Sequence, residues 1–186
     1  SGQESPSVSV EASGDAADYA ASAMTRDTET SVLGIAGGAS PLKVVEPVFT
    51  TKRITQSTPA SSASNVITVS ISPTLDLSGS ASAAITLTNL TGAVLGESVT
   101  LGAVTGGQSG EGLFCGASAD GTSGTAAWSA ESSSLVLRLC TGATMSAGEE
   151  YAFSFTITNP GSGQESPSVS VEASGDAADY AASAMT

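Results

Sequence analysis

A chain of 186 residues with 40% hydrophobic side chains is long enough for one sizeable core and an appendage. Eighteen acids against five bases give a formal net charge of −13 and leave no basic patch to neutralise phosphates, so nucleic-acid binding is excluded. Histidine is absent, which removes the commonest general base and the commonest transition-metal ligand. No apolar run approaches the roughly 20 residues that span a bilayer, so membrane insertion is not expected.

The first element met along the chain is also the last. Residues 1–25, SGQESPSVSVEASGDAADYAASAMT, recur unchanged as residues 162–186. An unaltered copy marks this stretch as the junction between one module and the next. Within it, Val8, Val10 and Ala12 alternate with Ser7, Ser9 and Glu11 after Pro6, which predicts a half-buried strand. Asp15 to Met24 is alanine-rich; Asp15 could cap a short helix, but Tyr19, Ala21 and Ala23 also suit a strand, and a strand or an irregular segment is expected.

Residues 26–40 read as a connector, charged first and then Gly-rich, with an apolar island at Val32, Leu33 and Ile35 that should pack rather than flap. From Pro41 onward strands follow at regular spacing. Val44, Val45 and Phe49 precede Ile54, with Pro47 marking an edge or a bend. Ile67, Val69 and Ile71 alternate with polar residues, as do Ile85 and Leu87, then Val99 and Leu101 before the Gly106-Gly107 bend. Leu135, Leu137 and Leu139 form another set. Tyr151, Phe153, Phe155 and Ile157 form the strongest, and predict a central core strand. Period-two alternation cut by Gly, Ser, Asn and Pro predicts an all-β fold, an antiparallel β-sandwich of the immunoglobulin-like or a related Greek-key kind.

The module is expected to run over residues 41–186. Residues 162–186 would complete it, and residues 1–25 would be the end strands of a preceding repeat. The assembly strand is then Ser5, Val8, Val10 and Ala12, equivalently Ser166, Val169, Val171 and Ala173. Its eight residues from Ser5 to Ala12 would reach roughly 26 Å if extended, enough to follow a sheet edge. No signal peptide is visible, so the chain is expected to be a mature or excised piece whose targeting signal lies elsewhere.

Cys115 and Cys140 lie 25 residues apart in strands or strand ends. A metal site would need further ligands that no histidine or other cysteine supplies, so a disulfide is expected, with two free core thiols as the alternative. It would contribute roughly 3 kcal/mol through loop closure and imply an oxidising compartment. Asn89-Leu90-Thr91 is a glycosylation sequon.

Other candidates are set against plainer explanations. Asp15 and Asp18, with Asp176 and Asp179 in the copy, and Glu149-Glu150 offer carboxylates to calcium, but without EF-hand or repeat spacing a solvated acidic loop is the better explanation. No other cofactor is expected. Trp128 suits either a sugar platform or the core beside the cysteines. Serines lack an adjacent base and converging carboxylates lack a spacing signature, so no catalysis is expected.

The phrases VVEPVFTTKRITQSTP (44–59), ITLTNLTGA (85–93) and YAFSFTITNPGSGQESPSVSVEASG (151–175) resemble the tandem repeat units of very large secreted or surface β-rich proteins predicted in marine algae and related protists. The resemblance implies an extracellular module repeated in series with a structural or adhesive part to play. The expected function is a structural unit of an extracellular filament, matrix or surface fibre. Its partners would be copies of itself, joined as covalent beads or by strand exchange. The alternative is a carbohydrate- or calcium-dependent adhesion module.

Overall fold

The computed structural model describes residues 2–79, 83–105, 108–175 and 178–186. The Gly106-Gly107 bend and Asp176 lie outside them. The chain divides into two compact units, Ser1–Glu46 and Pro47–Thr186.

The first unit holds a hairpin of β1 (Ser9–Ala12) and β2 (Tyr19–Ala23). The stretch expected as a connector belongs to this unit and folds into successive turns. Asp27 accepts hydrogen bonds from the backbone N–H of Glu29 and Thr30 and from the Thr30 hydroxyl. Those bonds, the Thr30 side chain first, hold its carboxyl below the ordinary aspartate range. Val32 and Ile35 exchange both backbone hydrogen bonds across a two-residue turn, with Leu33 and Gly34 at positive φ. That is the primed-turn geometry that favours tight hairpins.

The second unit is all-β and, with one short exception, antiparallel. Its strands are β3 (Phe49–Gln56), β4 (Ser64–Pro73), β5 (Leu77–Ser78), β6 (Ala84–Thr88), β7 (Ser98–Ala103), β8 (Gln108–Ser109), β9 (Thr125–Ser129), β10 (Ser134–Arg138), β11 (Thr144–Met145), β12 (Tyr151–Thr158), β13 (Ser170–Ser174) and β14 (Tyr180–Ala184). One 3₁₀ turn, Glu111–Leu113, interrupts them. Ten strands form a single sheet in the order β14-β13-β6-β10-β9-β7-β12-β4-β3, with β8 pairing parallel to β12 off that path; β5 and β11 pair separately. The two ends of the path meet: the Thr186 N–H donates to Lys52 O at 2.9 Å, and the Ile54 N–H donates to Thr186 O at 3.0 Å. The sheet is therefore nearly closed, which leaves few unpaired edges.

The alternation read in the sequence accounts for the core. Tyr151, Phe153, Phe155 and Ile157 of β12 are all buried, and β12 lies between β4 and β7 as a central strand should. Val69 and Ile71 of β4, Ile85 and Leu87 of β6, and Leu135 and Leu137 of β10 face the same interior. Phe114 packs edge-on against Phe153 with ring centroids 5.4 Å apart. At one end Asn65, fully buried, is satisfied on every side. Its carbonyl accepts from the N–H groups of Ser57 and Thr58, and its amide donates to Gln56 and Asn159 side-chain oxygens at 2.9 and 2.8 Å. A buried amide with no unmet valence fixes the β3–β4 turn against the end of β12.

Candidate assembly interface

The duplicated segment folds into the same hairpin in both units. In the first, Ser9 pairs with Ala23, Val10 with Ser22 and Ala12 with Tyr19. In the second, Ser170 pairs with Ala184, Val171 with Ser183 and Ala173 with Tyr180, and the irregularity falls at the equivalent step. Identical register in two settings means that local sequence sets the hairpin: the Gly14 and Gly175 turn, the alternation and the bulge.

What differs is what the hairpin rests on. In the second unit β13 pairs with β6 over five residues, from Ser170 opposite Thr88 to Ser174 opposite Ala84. Val169, Val171 and Ala173 turn into the core with it. Tyr180, from β14, is 2% exposed and tilts against Phe49 with ring centroids 4.8 Å apart. Its hydroxyl donates to Leu75 O at 2.8 Å and accepts from the Leu75 N–H at 3.0 Å, so both polar valences are met. Burial pushes this hydroxyl's pKa up from its ordinary value of 10.0, against the hydrogen bonds that lower it. Burying three large side chains of this kind contributes about 6 kcal/mol.

In the first unit the equivalents of Val171, Ala173 and Tyr180 face outward, while Val8 is half-buried. Tyr19 is 72% exposed and Val10 is 56% exposed. Among the described residues the hairpin is held at its base, where the stretch preceding it meets residues 41–44, just past the connector. Gln3 and Val44 exchange backbone hydrogen bonds at 2.6 and 2.8 Å. The Ser5 hydroxyl donates to Pro41 O, and Arg26 donates to Ser5 O.

The paired strand is shorter than the sequence reading. Ser5 and Ser166 precede it: Pro6 and Pro167 offer no N–H for a ladder, and the Val169 N–H turns back onto Pro167 O at 3.0 Å. Five residues, Ser170–Ser174, lie against β6 in place of the eight expected. Tyr180, which adds a buried ring and two hydrogen bonds to this contact, has as its sequence signal an aromatic ring alone in an alanine run.

The remaining candidates fall elsewhere. Cys115 and Cys140 form a disulfide, with Cα atoms 5.0 Å apart. It ties Cys115, two residues past the 3₁₀ turn, to Cys140, two residues past β10, and the Cys115 N–H also donates to Arg138 O. Trp128 lies in the core at 8% exposure, which is the plainer of its two readings. Asn89 is exposed at positive φ and donates through Nδ2 to Ser168 O at 3.2 Å. Asp15, Asp18, Asp179, Glu149 and Glu150 are exposed. Among the described residues no three acidic or cysteine side chains gather as a metal-binding group, and no helix is long and apolar enough to cross a membrane. Neither a protein-family model nor a curated protein matches the chain.

Proposed function

We propose that this chain is a structural repeat module of an extracellular filament, matrix or surface fibre, whose consecutive units are joined through the duplicated hairpin. Residues 162–186 complete the β-fold that precedes them in sequence, and residues 1–25 are the completing hairpin of an equivalent preceding unit. Modules so joined form a covalent series of beads.

The observation that carries this reading is the unequal burial of one sequence. Tyr180 is 2% exposed where Tyr19 is 72% exposed, although the two hairpins share a register. A hairpin that presents an apolar face without a core to receive it is a part made for another body. The Cys115–Cys140 disulfide is in keeping with an oxidising, extracellular setting. The resemblance to giant surface repeats points the same way, as does a surface rich in serine, threonine and alanine.

The test is a chain shortened to residues 1–161. It keeps the first hairpin and loses the second, so the strand β6 and the site beside Leu75 are vacated. Residues 1–25 are expected to enter that site, within one molecule or between molecules, giving head-to-tail oligomers in the second case. Tyr19 should then become protected from nitration or iodination. A cooperatively folded 1–161 chain with Tyr19 as reactive as in the full chain would refute the proposal.

A further inference from the structure

A groove of about 540 Å³ opens in the second unit where the stretch before β13 crosses the ends of β3 and β12, lined by Ile54, Ile157, Gln164, Ser166, Pro167 and Met185. Its wall, residues 163–167, has the same sequence as residues 2–6 of the first unit. There that sequence has a partner. Gln3 bridges Val44 through both backbone groups, the Ser5 hydroxyl reaches Pro41 O at 2.6 Å, the Gln3 amide donates to Leu42 O at 2.9 Å, and Lys43 approaches Glu4 at 3.9 Å. In the second unit, no backbone partner among the described residues meets the N–H or C=O of Gln164; its side chain donates instead to Thr91 O at 2.9 Å.

One glycine shows what is missing. A side chain at Gly2 would meet Val44 O at 2.6 Å, too close for any Cβ, so glycine is required there by its neighbour. The identical Gly163 has nothing within 4 Å. Neither residue takes a positive φ, so backbone conformation gives no separate reason for glycine.

We infer that this groove is the docking site for the connector of the following repeat extended to the end of its unit, the sequence of residues 26–46 placed after Thr186 as Arg26 follows Thr25. This rests on the tandem reading above. The last part of that connector, equivalent to Pro41–Val44, runs along residues 163–167. The backbone of Gln164 pairs with the valine equivalent to Val44, and the arginine equivalent to Arg26 reaches Ser166 O. Because Val44 is only three residues from Pro47, where the next module begins, the docked connector fixes consecutive modules at a short, stiff junction. A free 21-residue tether would hold them loosely.

The experiment uses the full chain carrying a second copy of residues 26–46 after Thr186. Hydrogen exchange at the Gln164 amide should slow by about tenfold or more relative to the unextended chain. Gly163→Val should abolish that slowing in the extended chain while leaving the Trp128 unfolding midpoint of the unextended chain unchanged. Unaltered exchange at Gln164 in an extended chain that still unfolds cooperatively overturns the docking, and so does slowing that survives Gly163→Val. Neither result touches the tandem reading, which stands or falls on the 1–161 chain.

Discussion

Replacing each tyrosine of the duplicated hairpin by alanine separates the two copies by stability alone. Tyr180→Ala removes a ring that is 2% exposed and packed on Phe49, and leaves both backbone groups of Leu75 without their partner. Aromatic-to-alanine changes in a core cost about 3–5 kcal/mol, and the orphaned amide and carbonyl add to it. A loss near 5 kcal/mol is a third or more of the stability of an ordinary domain. It should lower the melting temperature of the second unit by roughly 10–20 °C. Tyr19→Ala alters a residue 72% exposed and should move that transition by less than about 0.5 kcal/mol. Trp128, the only tryptophan, is buried in the second unit, so its fluorescence through a urea titration follows that unit directly. Equal shifts from the two substitutions, or an unmoved midpoint in Tyr180→Ala, would refute the argument that one copy completes a core and the other does not.

Tyr180→Phe keeps the ring and deletes the hydroxyl, so it should cost about 1–3 kcal/mol in the same titration. The raised pKa of Tyr180 adds a pH signature. A group whose folded pKa lies above its unfolded value near 10 stabilises fully below that value and loses the contribution as pH rises through the folded pKa. The urea midpoint of the native chain should therefore fall more steeply above pH 10 than that of Tyr180→Phe. Reducing Cys115–Cys140 opens a 25-residue loop and should cost about 3 kcal/mol, read as a drop of roughly 10 °C in the Trp128 melting curve with reductant present. Asn65→Asp sets a carboxylate oxygen against the oxygens of Gln56 and Asn159, now 2.9 and 2.8 Å from its amide, and should destabilise by about 3 kcal/mol at neutral pH. Acidification that protonates the new carboxyl should restore part of that loss.

Much of the fold is written locally. The stripes at 67–71, 85–87, 135–139 and 151–157 became strands because their large apolar side chains recur at every second residue and all of these are buried. Eliminating metal ligands left the two cysteines as a disulfide or as free thiols, and the structure joins them. Two things were not legible. The order of strands in the sheet depends on contacts far apart in sequence, and Tyr180 finds Leu75 across 105 residues. The environment of the duplicated hairpin is not set by its own residues, because one sequence occupies two environments; only its place in the chain distinguishes residues 162–186, after the run of strands, from residues 1–25. The connector lies between these cases. The fold about Asp27 and Thr30 is local turn chemistry, whereas the pairing of Gln3 with Val44 is not.

The equality of the two hairpins has an energetic consequence for assembly. A two-stranded ribbon alone in water is marginal, yet in the first unit β1 and β2 hold the register of β13 and β14 without a core beneath them. The tie between Gln3 and Val44 and the bond from Arg26 to Ser5 close the base of the ribbon from outside. A hairpin ordered in advance loses less conformational entropy on entering a sheet than a free strand would. Most of the burial of Val171 and Tyr180 then appears as net binding energy. On the proposed assembly the connector would have two tasks in one place: it would shape the hairpin before insertion, and its contacts with residues 2–6 would remain available afterwards, since the equivalent residues lie outside the ladder that β13 makes with β6. Loosening the base, as Gly2→Val would by driving Val44 away, should slow insertion of residues 1–25 into the vacated site of a 1–161 chain while leaving the inserted state intact. Stopped-flow Trp128 fluorescence would measure that rate. Slowing without loss of the final signal separates preorganisation from contact energy, and an unchanged rate would show that the hairpin forms only as it enters the sheet.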